Sequence, residues 1–267
     1  IMEMNNLFDL SGKVALITGG AGLLATEHAL ALLEFGATII LADINEEKCN
    51  DAVIALNKNH EKVFSYKIDV TKKESWENVL TDLKNTFGRI DILINNASFT
   101  NQSRTKGYDA SFENFSLEDW NAIMQVNLTG TFLGCQVIGN HMLENKSGSI
   151  INMASLYGVV SPHHAIYEGT GISQPVAYTV SKHGVIGLTK YVAALWAKKG
   201  VRVNSITPGG IFNEHSGLFL ERFEKLNPIG RMCNKSELHG AIVFLASDAS
   251  SHVIGHNLVV DGGWTIW

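Results

Sequence analysis

A tyrosine and a lysine stand four residues apart in the stretch YTVSK, which runs from Tyr178 to Lys182. On a helix, residues at this spacing project from the same face, so the two side chains are expected to meet. A phenol with a pKa near ~10 is a weak acid or base at neutral pH, but a neighbouring ammonium stabilises the phenolate and lowers that pKa. Such a pair could exchange a proton with an alcohol or a carbonyl. The same spacing also occurs by chance on helix surfaces, so other residues must support this interpretation.

The stretch TGGAGLLA has the glycine spacing of a nucleotide-binding turn. Gly20, Gly22 and Ala25 form the pattern G-x-G-x-x-A between a predicted strand and a predicted helix. Such a turn lets the chain reverse tightly, brings the backbone close to a pyrophosphate and leaves helix N–H groups free for the phosphates. We predict a nucleotide site here; the alternative is a tight turn that binds nothing. The predicted contacts are Gly19, Gly20, Gly22, Leu23 and Leu24.

An acidic residue follows the next predicted strand. Asp43 could accept hydrogen bonds from both hydroxyls of an adenosine ribose, and its charge would repel a 2′-phosphate. The two residues after it, Ile44 and Asn45, supply no cation. The sequence therefore favours NAD over NADP as cofactor, with a surface or helix-capping acid as the alternative. Asp69, followed by Val70, could likewise reach the adenine, or could simply cap a loop.

These residues lie between elements that alternate regularly. Seven apolar, β-rich runs are separated by segments with helical periodicity. The runs are Lys13–Thr18, Thr38–Asp43, Val63–Asp69, Asp91–Asn95, Gly148–Ala154, Val201–Ile206 and Asn257–Gly262. Near-continuous apolar strands suit a parallel sheet that is covered on both faces. The pattern predicts an α/β fold, a doubly wound Rossmann-type sheet of seven parallel strands with helices on both faces, in one domain over residues 1–267.

Composition narrows the functional class. A hydrophobic content of 45% and a charged content of 18% argue against disorder. The net charge of -5 without a long basic run argues against a nucleic-acid partner. Three cysteines at no metal-ligand spacing predict neither a metal site nor a disulfide framework, and they suit a reducing compartment. With no segment typical of a signal peptide or a membrane span, we expect a cytoplasmic protein with no membrane partner.

Further motifs accompany the tyrosine and the lysine, and together they are highly specific. They are NNA at Asn95–Ala97, VNLTG around Asn127, INMAS ending at Ser155, PGG at Pro208–Gly210 and VDGGW near the C-terminus. With these motifs the chain resembles the short-chain dehydrogenase/reductase family in its single-domain form, from Lys13 to Trp264. The resemblance implies an enzyme that transfers a hydride between a nicotinamide cofactor and its substrate.

The resemblance also implies a role for each motif residue. Tyr178 would be the general acid/base, and Lys182 would lower its pKa and bind the nicotinamide ribose. Ser155 would hydrogen-bond the substrate oxygen, and Asn127 would hold a water that relays protons from Lys182. The other implied cofactor contacts are Asn95 and Ala97 beside the adenosine ribose, Ile211 and Asn213 beside the nicotinamide, and Pro208 and Gly209.

The chain departs from the family pattern at several positions. Leu23 and Ala25 stand where the turn usually has glycine, Ser98 replaces the glycine usual after NNA, and Asn213 replaces a common threonine. The gap between Ser155 and Tyr178 is longer than usual. Neither Tyr157 nor Tyr167, which lie within that gap, has a lysine four residues on, so Tyr178 is preferred as the acid/base.

Two long loops follow the fourth and fifth predicted strands, where open parallel sheets bind their ligands. The segment 161–175 is expected to border the substrate, with Tyr167, Glu168 and Gln174 as candidates for binding hydroxyl groups. In the segment 98–116, Arg104 and Lys106 could meet a phosphate or could be solvated charges.

The subgroup that the chain most resembles includes flagellin-glycan and legionaminic-acid pathway dehydrogenases, and gluconate-type polyol dehydrogenases are also similar. This implies NAD-dependent interconversion of a secondary alcohol and a ketone on a sugar derivative. A nucleotide-sugar epimerase and a non-catalytic NAD-binding protein are the alternatives. The family also implies a homotetramer or homodimer, formed through two predicted long helices at about Leu117–Leu143 and Val176–Lys198.

Overall fold

The computed structural model of the chain describes residues 7–99 and 107–267. Its centre is one sheet of seven parallel strands in the order β3-β2-β1-β4-β5-β6-β7. The strands are β1 Val14–Thr18, β2 Thr38–Asp43, β3 Val63–Lys67, β4 Ile92–Asn95, β5 Gly148–Met153, β6 Val201–Pro208 and β7 Asn257–Val260. From β1 the chain builds outward to β3, then crosses back to β4 and builds the other way. This order confirms the predicted doubly wound sheet and puts its topological switch point between β1 and β4.

Eight α-helices connect and cover the strands in the described part of the chain. They are α1 Ala25–Glu34, α2 Glu46–Asn57, α3 Lys73–Phe87, α4 Leu117–Met124, α5 Gly130–Glu144, α6 Val176–Trp196, α7 Gly217–Leu226 and α8 His239–Ala246. None of these helices is both long enough and apolar enough to cross a membrane.

The sheet has a hydrophobic core on each face because successive side chains of a strand point to opposite sides. In β1, Ala15 and Ile17 pack with α1 and α8, while Val14 and Leu16 pack with α3, α5 and α6. All five residues of β1 are buried. This two-sided burial explains why the strands are continuous apolar runs in the sequence.

The first of the two predicted long helices is interrupted. A π-helical turn at Gln125–Thr129 separates α4 from α5, and it is closed by a hydrogen bond from the Gly130 N–H to the Gln125 carbonyl. A π turn holds one residue more than an α turn, and such turns are frequent at functional sites. Asn127 lies within this turn. The second long helix, α6, is continuous and begins directly after Pro175.

Candidate active site

The carboxyl ends of the central strands bring the sequence motifs to one edge of the sheet. Parallel pairing aligns Ile17 with Ile94, Asn95 with Asn152, and Met153 with Ile206. The glycine turn after β1, the NNA motif after β4, Ser155 after β5 and the PGG motif after β6 therefore leave the sheet side by side. This is the edge at which doubly wound sheets bind ligands.

Three of the predicted catalytic side chains meet above the end of β5. Tyr178 lies in the first turn of α6, where the helix dipole favours negative charge. The Ser155 hydroxyl is within hydrogen-bonding reach of the Tyr178 phenol. Lys182, one turn further along α6, donates from Nζ to the Met153 carbonyl at 2.8 Å, and its Nζ lies 5.6 Å from the centre of the Tyr178 ring. The structure thus assembles the phenol, the hydroxyl and the ammonium that the sequence predicts.

Burial sets the proton affinities of this group. It lowers the pKa of Lys182 to about 8, because an ammonium that is 3% exposed loses most of its hydration. Burial also raises the pKa of Tyr178, while the hydrogen bond with Ser155 acts in the opposite direction. The sequence led us to expect a lowered pKa for this phenol, but burial raises the pKa instead. The protein holds Tyr178 as a neutral phenol at neutral pH.

Asn127 is buried in the π turn, and its side chain is hydrogen-bonded to three neighbouring residues. Its Nδ2 donates to the Ser181 hydroxyl at 3.0 Å, and its Oδ1 accepts from the Phe99 N–H at 2.7 Å and from the Ser98 hydroxyl at 3.2 Å. Asn127 therefore ties the loop after β4 to the helix that carries Tyr178 and Lys182. The serine that replaces the family's usual glycine supplies one of these bonds. The proton relay through a water remains a prediction.

The glycine turn has the shape that a dinucleotide needs. Gly19 has a φ of +68°, and a Cβ there would lie 2.9 Å from the Ala97 Cα. A Cβ on Gly20 would lie 2.8 Å from the Leu41 Cβ, and one on Gly22 would lie 2.9 Å from the Gly19 carbonyl oxygen. No side chain caps the N-terminus of α1 at Leu24. Since only glycine fits these positions and the helix N–H groups are not capped by a side chain, the turn fits a pyrophosphate.

The Asp43 carboxylate stands beside this turn. One oxygen accepts from the Ala21 N–H at 3.0 Å and the other from the Asn45 N–H at 2.8 Å. Asn45, not Asp43, caps α2, since its side chain accepts from the Lys48 N–H. A carboxylate oxygen can accept more than one hydrogen bond, so Asp43 retains capacity for a ribose hydroxyl.

Three predicted cofactor residues turn their side chains elsewhere. Asn95 is 3% exposed and donates to the Asn152 side chain at 2.8 Å, so it can offer a ligand only its main chain. The Asp69 carboxylate accepts from the Thr71 N–H and hydroxyl at 3.0 and 2.6 Å, which is the loop-capping alternative. Val70 is buried in the core on the α5 side of the sheet. Ala97, by contrast, lies beside the glycine turn, next to Gly19.

A set of hydrogen bonds between Thr18 and the residues Asn96 and Ala97 was missed by sequence reasoning. The Thr18 hydroxyl accepts from the N–H groups of Asn96 and Ala97, each at 3.1 Å, and the Asn96 side chain donates to the Thr18 carbonyl at 2.9 Å. The two residues fasten the end of β1 to the end of β4. Their presence in the TGG and NNA motifs was the available signal.

The PGG segment is fixed by its backbone. The Gly209 N–H donates to the Val260 carbonyl at 2.9 Å, following Pro208 at the end of β6. Ile211 pairs with Cys233 in an isolated parallel bridge, which places it at the same edge of the sheet. Asn213 is exposed, and its N–H donates to the His215 ring at 3.1 Å. These positions suit contacts with a bound ligand, which stay predictions.

The long loops are only partly described. Arg104 and Lys106 lie outside the described residues. The segment 161–175 packs against α7 and turns Tyr167 inward, whereas Glu168 is exposed. The Tyr167 and Tyr157 hydroxyls lie 2.5 Å apart. The side chain of Trp264 stacks on Phe223 with ring centres 4.4 Å apart and so closes the same cluster from the C-terminus.

The opposite edge of the sheet holds cavities of about 230 and 460 Å³. Asp91 lines both cavities, and its carboxylate accepts from the Val14 N–H at 2.9 Å and pairs with Arg89. Within residues 7–99 and 107–267, no group of three His, Cys, Asp or Glu side chains could hold a metal ion.

Comparisons with known proteins agree with this geometry. A family model described as enoyl-(acyl carrier protein) reductase matches residues 21–265. D-threitol dehydrogenase of Mycolicibacterium smegmatis is 38% identical over 97% of this chain and 95% of its own length. NAD-dependent glycerol dehydrogenase of Listeria innocua is 33% identical over 97% of this chain and 96% of its own. A crystal structure of gluconate 5-dehydrogenase from Burkholderia cenocepacia, in complex with NADP and tartrate, is 32% identical with a TM-score of 0.86, covering 99% of this chain and 100% of that one.

Proposed function

Because the chain belongs to the short-chain dehydrogenase/reductase family, we propose that it is an NAD(H)-dependent oxidoreductase that interconverts a secondary alcohol and a ketone on a sugar derivative. The observation that carries the proposal is the meeting of the Tyr178 phenol, the Ser155 hydroxyl and the Lys182 ammonium above β5. A non-catalytic NAD-binding protein would have no use for this set.

The glycine turn, Asp43 and the segment at Ile211 would hold the nicotinamide dinucleotide, which would supply the hydride acceptor or donor. In oxidation, Ser155 and Tyr178 would bind the carbinol oxygen. The phenol must first lose its own proton, which the Lys182 ammonium and a positively charged nicotinamide would favour, and it then takes the hydroxyl proton. In reduction, the neutral phenol returns that proton to the carbonyl oxygen. The Lys182 Nζ lies 5.6 Å from the centre of the Tyr178 ring, and as an ammonium it would stabilise the phenolate in either direction.

The choice of NAD follows from Asp43. Both carboxylate oxygens face main-chain N–H groups, which fixes a negative charge beside the glycine turn. That charge would repel the 2′-phosphate of NADP. The glycerol dehydrogenase relative is named as NAD-dependent, whereas the gluconate dehydrogenase structure holds NADP. Relatives therefore use both cofactors, and the Asp43 carboxylate supports NAD for this chain.

Exchanging this acid tests the cofactor assignment. In Asp43→Asn, the ribose loses a charged acceptor and the repulsion of a 2′-phosphate disappears. We expect kcat/KM for NAD to fall by roughly tenfold or more, since hydrogen bonds to a charged group are worth about 1.5–3 kcal/mol, and kcat/KM for NADP to rise. An exchange of the exposed residue Ile44→Asn is the matched control. Wild-type protein that prefers NADP would contradict the assignment.

The substrate is a polyol or polyol acid related to sugars. The threitol, glycerol and gluconate dehydrogenases among the relatives support this class by their names. The subgroup resemblance to flagellin-glycan and legionaminic-acid pathway dehydrogenases adds amino-sugar derivatives and nucleotide sugars to the substrates to be tested. We also propose a cytoplasmic location and assembly into a homotetramer or homodimer.

The decisive experiment is an NADH-absorbance screen of polyols, sugar acids, sugar phosphates and nucleotide sugars, with both cofactors. A substrate found with the wild type should lose roughly 10² to 10⁴ in kcat in Tyr178→Phe, the range typical of general acid/base catalysis. Tyr66→Phe, on β3 at the other side of the switch point, is the control. Retained activity in Tyr178→Phe would remove that residue from the acid/base role. A product with one stereocentre inverted and no net change in NADH would favour the epimerase alternative.

A further inference from the structure

Two tyrosines between Ser155 and Tyr178 have no part in the chemistry proposed above. Tyr157 lies in the 3₁₀ turn directly after Ser155, with its N–H donating to the Ser155 hydroxyl at 3.2 Å, and it is 5% exposed. Tyr167 lies in the segment 161–175 and is half-buried. Their phenol oxygens are 2.5 Å apart, so the two hydroxyls share a hydrogen bond.

Other contacts already hold Tyr167 in place. Arg222 of α7 donates to the carbonyls of Ala165 and Glu168 at 2.9 and 2.6 Å. The Tyr167 ring packs on the Phe219 ring with centres 5.4 Å apart, and the Thr170 hydroxyl donates to the Tyr167 carbonyl at 2.7 Å. A phenylalanine at position 167 would keep all of these contacts. Anchoring of the segment therefore does not account for the hydroxyl.

The hydroxyl pair stands in an otherwise apolar cluster that also contains Tyr178. The buried members of this cluster are Leu156, Tyr157, Ile166, Phe219, Phe223, Met232 and Trp264. Tyr178 is close enough that its charge would raise the pKa of both phenols. Burial raises the pKa of Tyr157 to about 12 and that of Tyr167 further still. Both groups are therefore neutral hydroxyls at any working pH.

The hydrogen bonds of this pair can be counted. Each phenol has one O–H donor and can accept, and the shared bond uses one donor and one acceptor. One O–H and the remaining lone pairs are left over, in surroundings where an unmatched polar group is costly. An alcohol hydroxyl, which both donates and accepts, complements such a pair.

We propose that the Tyr157–Tyr167 hydroxyl pair binds a second hydroxyl of the substrate, next to the carbinol that Tyr178 deprotonates. This rests on the proposed function and specifies its substrate class: a compound with at least two neighbouring hydroxyls, not a simple secondary alcohol. Tyr157 and Tyr167 are positioning residues that orient the substrate and select it. The longer gap before Tyr178 supplies one member of the pair.

The test compares substrates that differ by one hydroxyl in variants that each remove one phenol oxygen. Tyr157→Phe and Tyr167→Phe are assayed with the best polyol of the screen and with its analogue deoxygenated beside the oxidised carbon. Propane-1,2-diol and propan-2-ol are the smallest such pair. We expect KM for the diol to rise about 3- to 10-fold in each variant, as for one lost neutral hydrogen bond, with kcat nearly unchanged. The mono-alcohol should have the same kcat/KM in all three proteins.

Arg222→Met controls for a loosened segment, because it removes the anchor and leaves both phenols. Arg222→Met should raise KM for the diol and for the mono-alcohol by the same factor. If the phenylalanine variants also raise KM for both alcohols by the same factor, or raise it for neither, the proposed binding of a second hydroxyl is overturned while the oxidoreductase function stands.

A wild type that turns over no alcohol would instead overturn the proposed function. Calorimetric titration of the diol into the protein with NADH then tests the pair separately. Weaker binding of the diol in Tyr167→Phe than in the wild type would support the hydroxyl subsite. Equal binding, or no binding to either protein, would overturn it.

Discussion

Lys182 and Tyr178 are both buried, and burial opposes the charged form of each. The ammonium is compensated by one carbonyl, that of Met153, and by the ring of Tyr178. A residue selected for stability at this position would be apolar. The site therefore keeps Lys182 at a cost in folding free energy, which is common where function needs a charge.

Replacing the lysine should separate activity from stability. Its pKa falls from 10.5 to about 8 on folding, a change of 10.5 − 8 = 2.5 units, or roughly 3 kcal/mol. Below pH 8 the lysine is charged in both folded and unfolded chains and the whole penalty applies. The penalty decreases as the pH rises from 8 to 10.5 and is absent above that range. Lys182→Met should remove the penalty and lose about 1 kcal/mol with the bond to Met153. We expect higher denaturant stability at pH 7 and a kcat lower by at least about tenfold.

The exposed lysine Lys190→Met, on the same helix, is the control for this prediction, and chemical denaturation followed by circular dichroism measures it. An unchanged kcat in Lys182→Met would show that Tyr178 works without the ammonium. A loss of stability would show that the carbonyl bond outweighs the burial of charge.

His28 of α1 is another buried polar side chain, and no sequence motif marks it. It is 0% exposed, and neither ring nitrogen has a hydrogen-bond partner, although the Asn96 amide lies alongside. Burial lowers its pKa to about 3, and the charge of His239 acts in the same direction. The folded chain thus resists a proton that the unfolded chain accepts from pH 6.5 downward.

The stability contributed by neutral His28 is present above pH 6.5 and is lost as the pH falls toward 3. Between pH 7 and pH 5 the loss covers 6.5 − 5 = 1.5 units, or roughly 2 kcal/mol. His28→Leu should remove this loss, so its gain over the wild type should be larger at pH 5 than at pH 7. Urea titrations at both pH values, with the exposed His252→Leu as control, measure it. Equal pH dependence in wild type and His28→Leu would contradict the burial argument.

The sequence was most informative about residues whose chemistry needs a fixed spacing. Tyr178 and Lys182 share a helix face as predicted, and Ser155 reaches them from β5. It was least informative about side-chain direction at strand ends. The Asn95 side chain points into the core, whereas the Asn96 side chain points toward the glycine turn. Because the strand ends here and its alternation stops, the sequence does not reveal which of the two adjacent asparagines points in which direction.

At the scale of elements, glycines in α5 let the helix approach its neighbours closely. A Cβ on Gly139 would lie 2.4 Å from the Trp196 ring, and one on Gly134 would lie 2.3 Å from the Asn95 Oδ1. Trp196 is 8% exposed, so its ring has little room to move. The close contact fixes the distance between α5 and α6, and hence the position of the catalytic helix.

Gly139→Ala should therefore destabilise the fold despite the better helix propensity of alanine. We expect a loss of about 1–3 kcal/mol from overpacking. Gly240→Ala in α8 is the matched control, since a Cβ there meets nothing within 4 Å, and it should be neutral or gain up to about 1 kcal/mol. The midpoint of thermal unfolding, measured for both variants and the wild type, tests this prediction. A stable Gly139→Ala would mean that Trp196 can move aside.

Element boundaries were predictable because apolar runs and helix-ending glycines are local signals. Gly88, with a φ of +73°, ends α3, and Gly36, with a φ of +95°, follows α1. The π turn around Asn127 was not predicted. Its cause is tertiary, since the Asn127 side chain bonds with Ser181 on α6 and with the loop after β4. The periodicity of apolar residues does not reveal a single additional residue in one turn when contacts with distant side chains are what stabilise that turn.

At the scale of the whole molecule, the long helices leave an apolar face uncovered. Tyr191 and Leu195, one turn apart on α6, are 71% and 53% exposed, and Phe132 on α5 is 44% exposed. Trp196, the residue after Leu195, does not belong to this face, because its ring packs against α5 in the core. Clustered apolar side chains on a monomer's surface mark association sites more often than chance exposure. We expect this face to join copies of the chain.

The exposed face and the active site share α6, so assembly and activity should be linked. Sedimentation at micromolar concentration should give a dimer or tetramer for the wild type and a smaller species for the double exchange Tyr191→Asp and Leu195→Asp. Ile54→Asp on α2, 63% exposed on another helix, is the control and should not dissociate the assembly. Because α6 carries Tyr178 in its first turn, a dissociated variant that keeps its far-ultraviolet circular dichroism should still lose kcat. A monomeric wild type would refute the assembly, and full activity in the dissociated variant would show that α6 is held in place by α5 and the sheet alone.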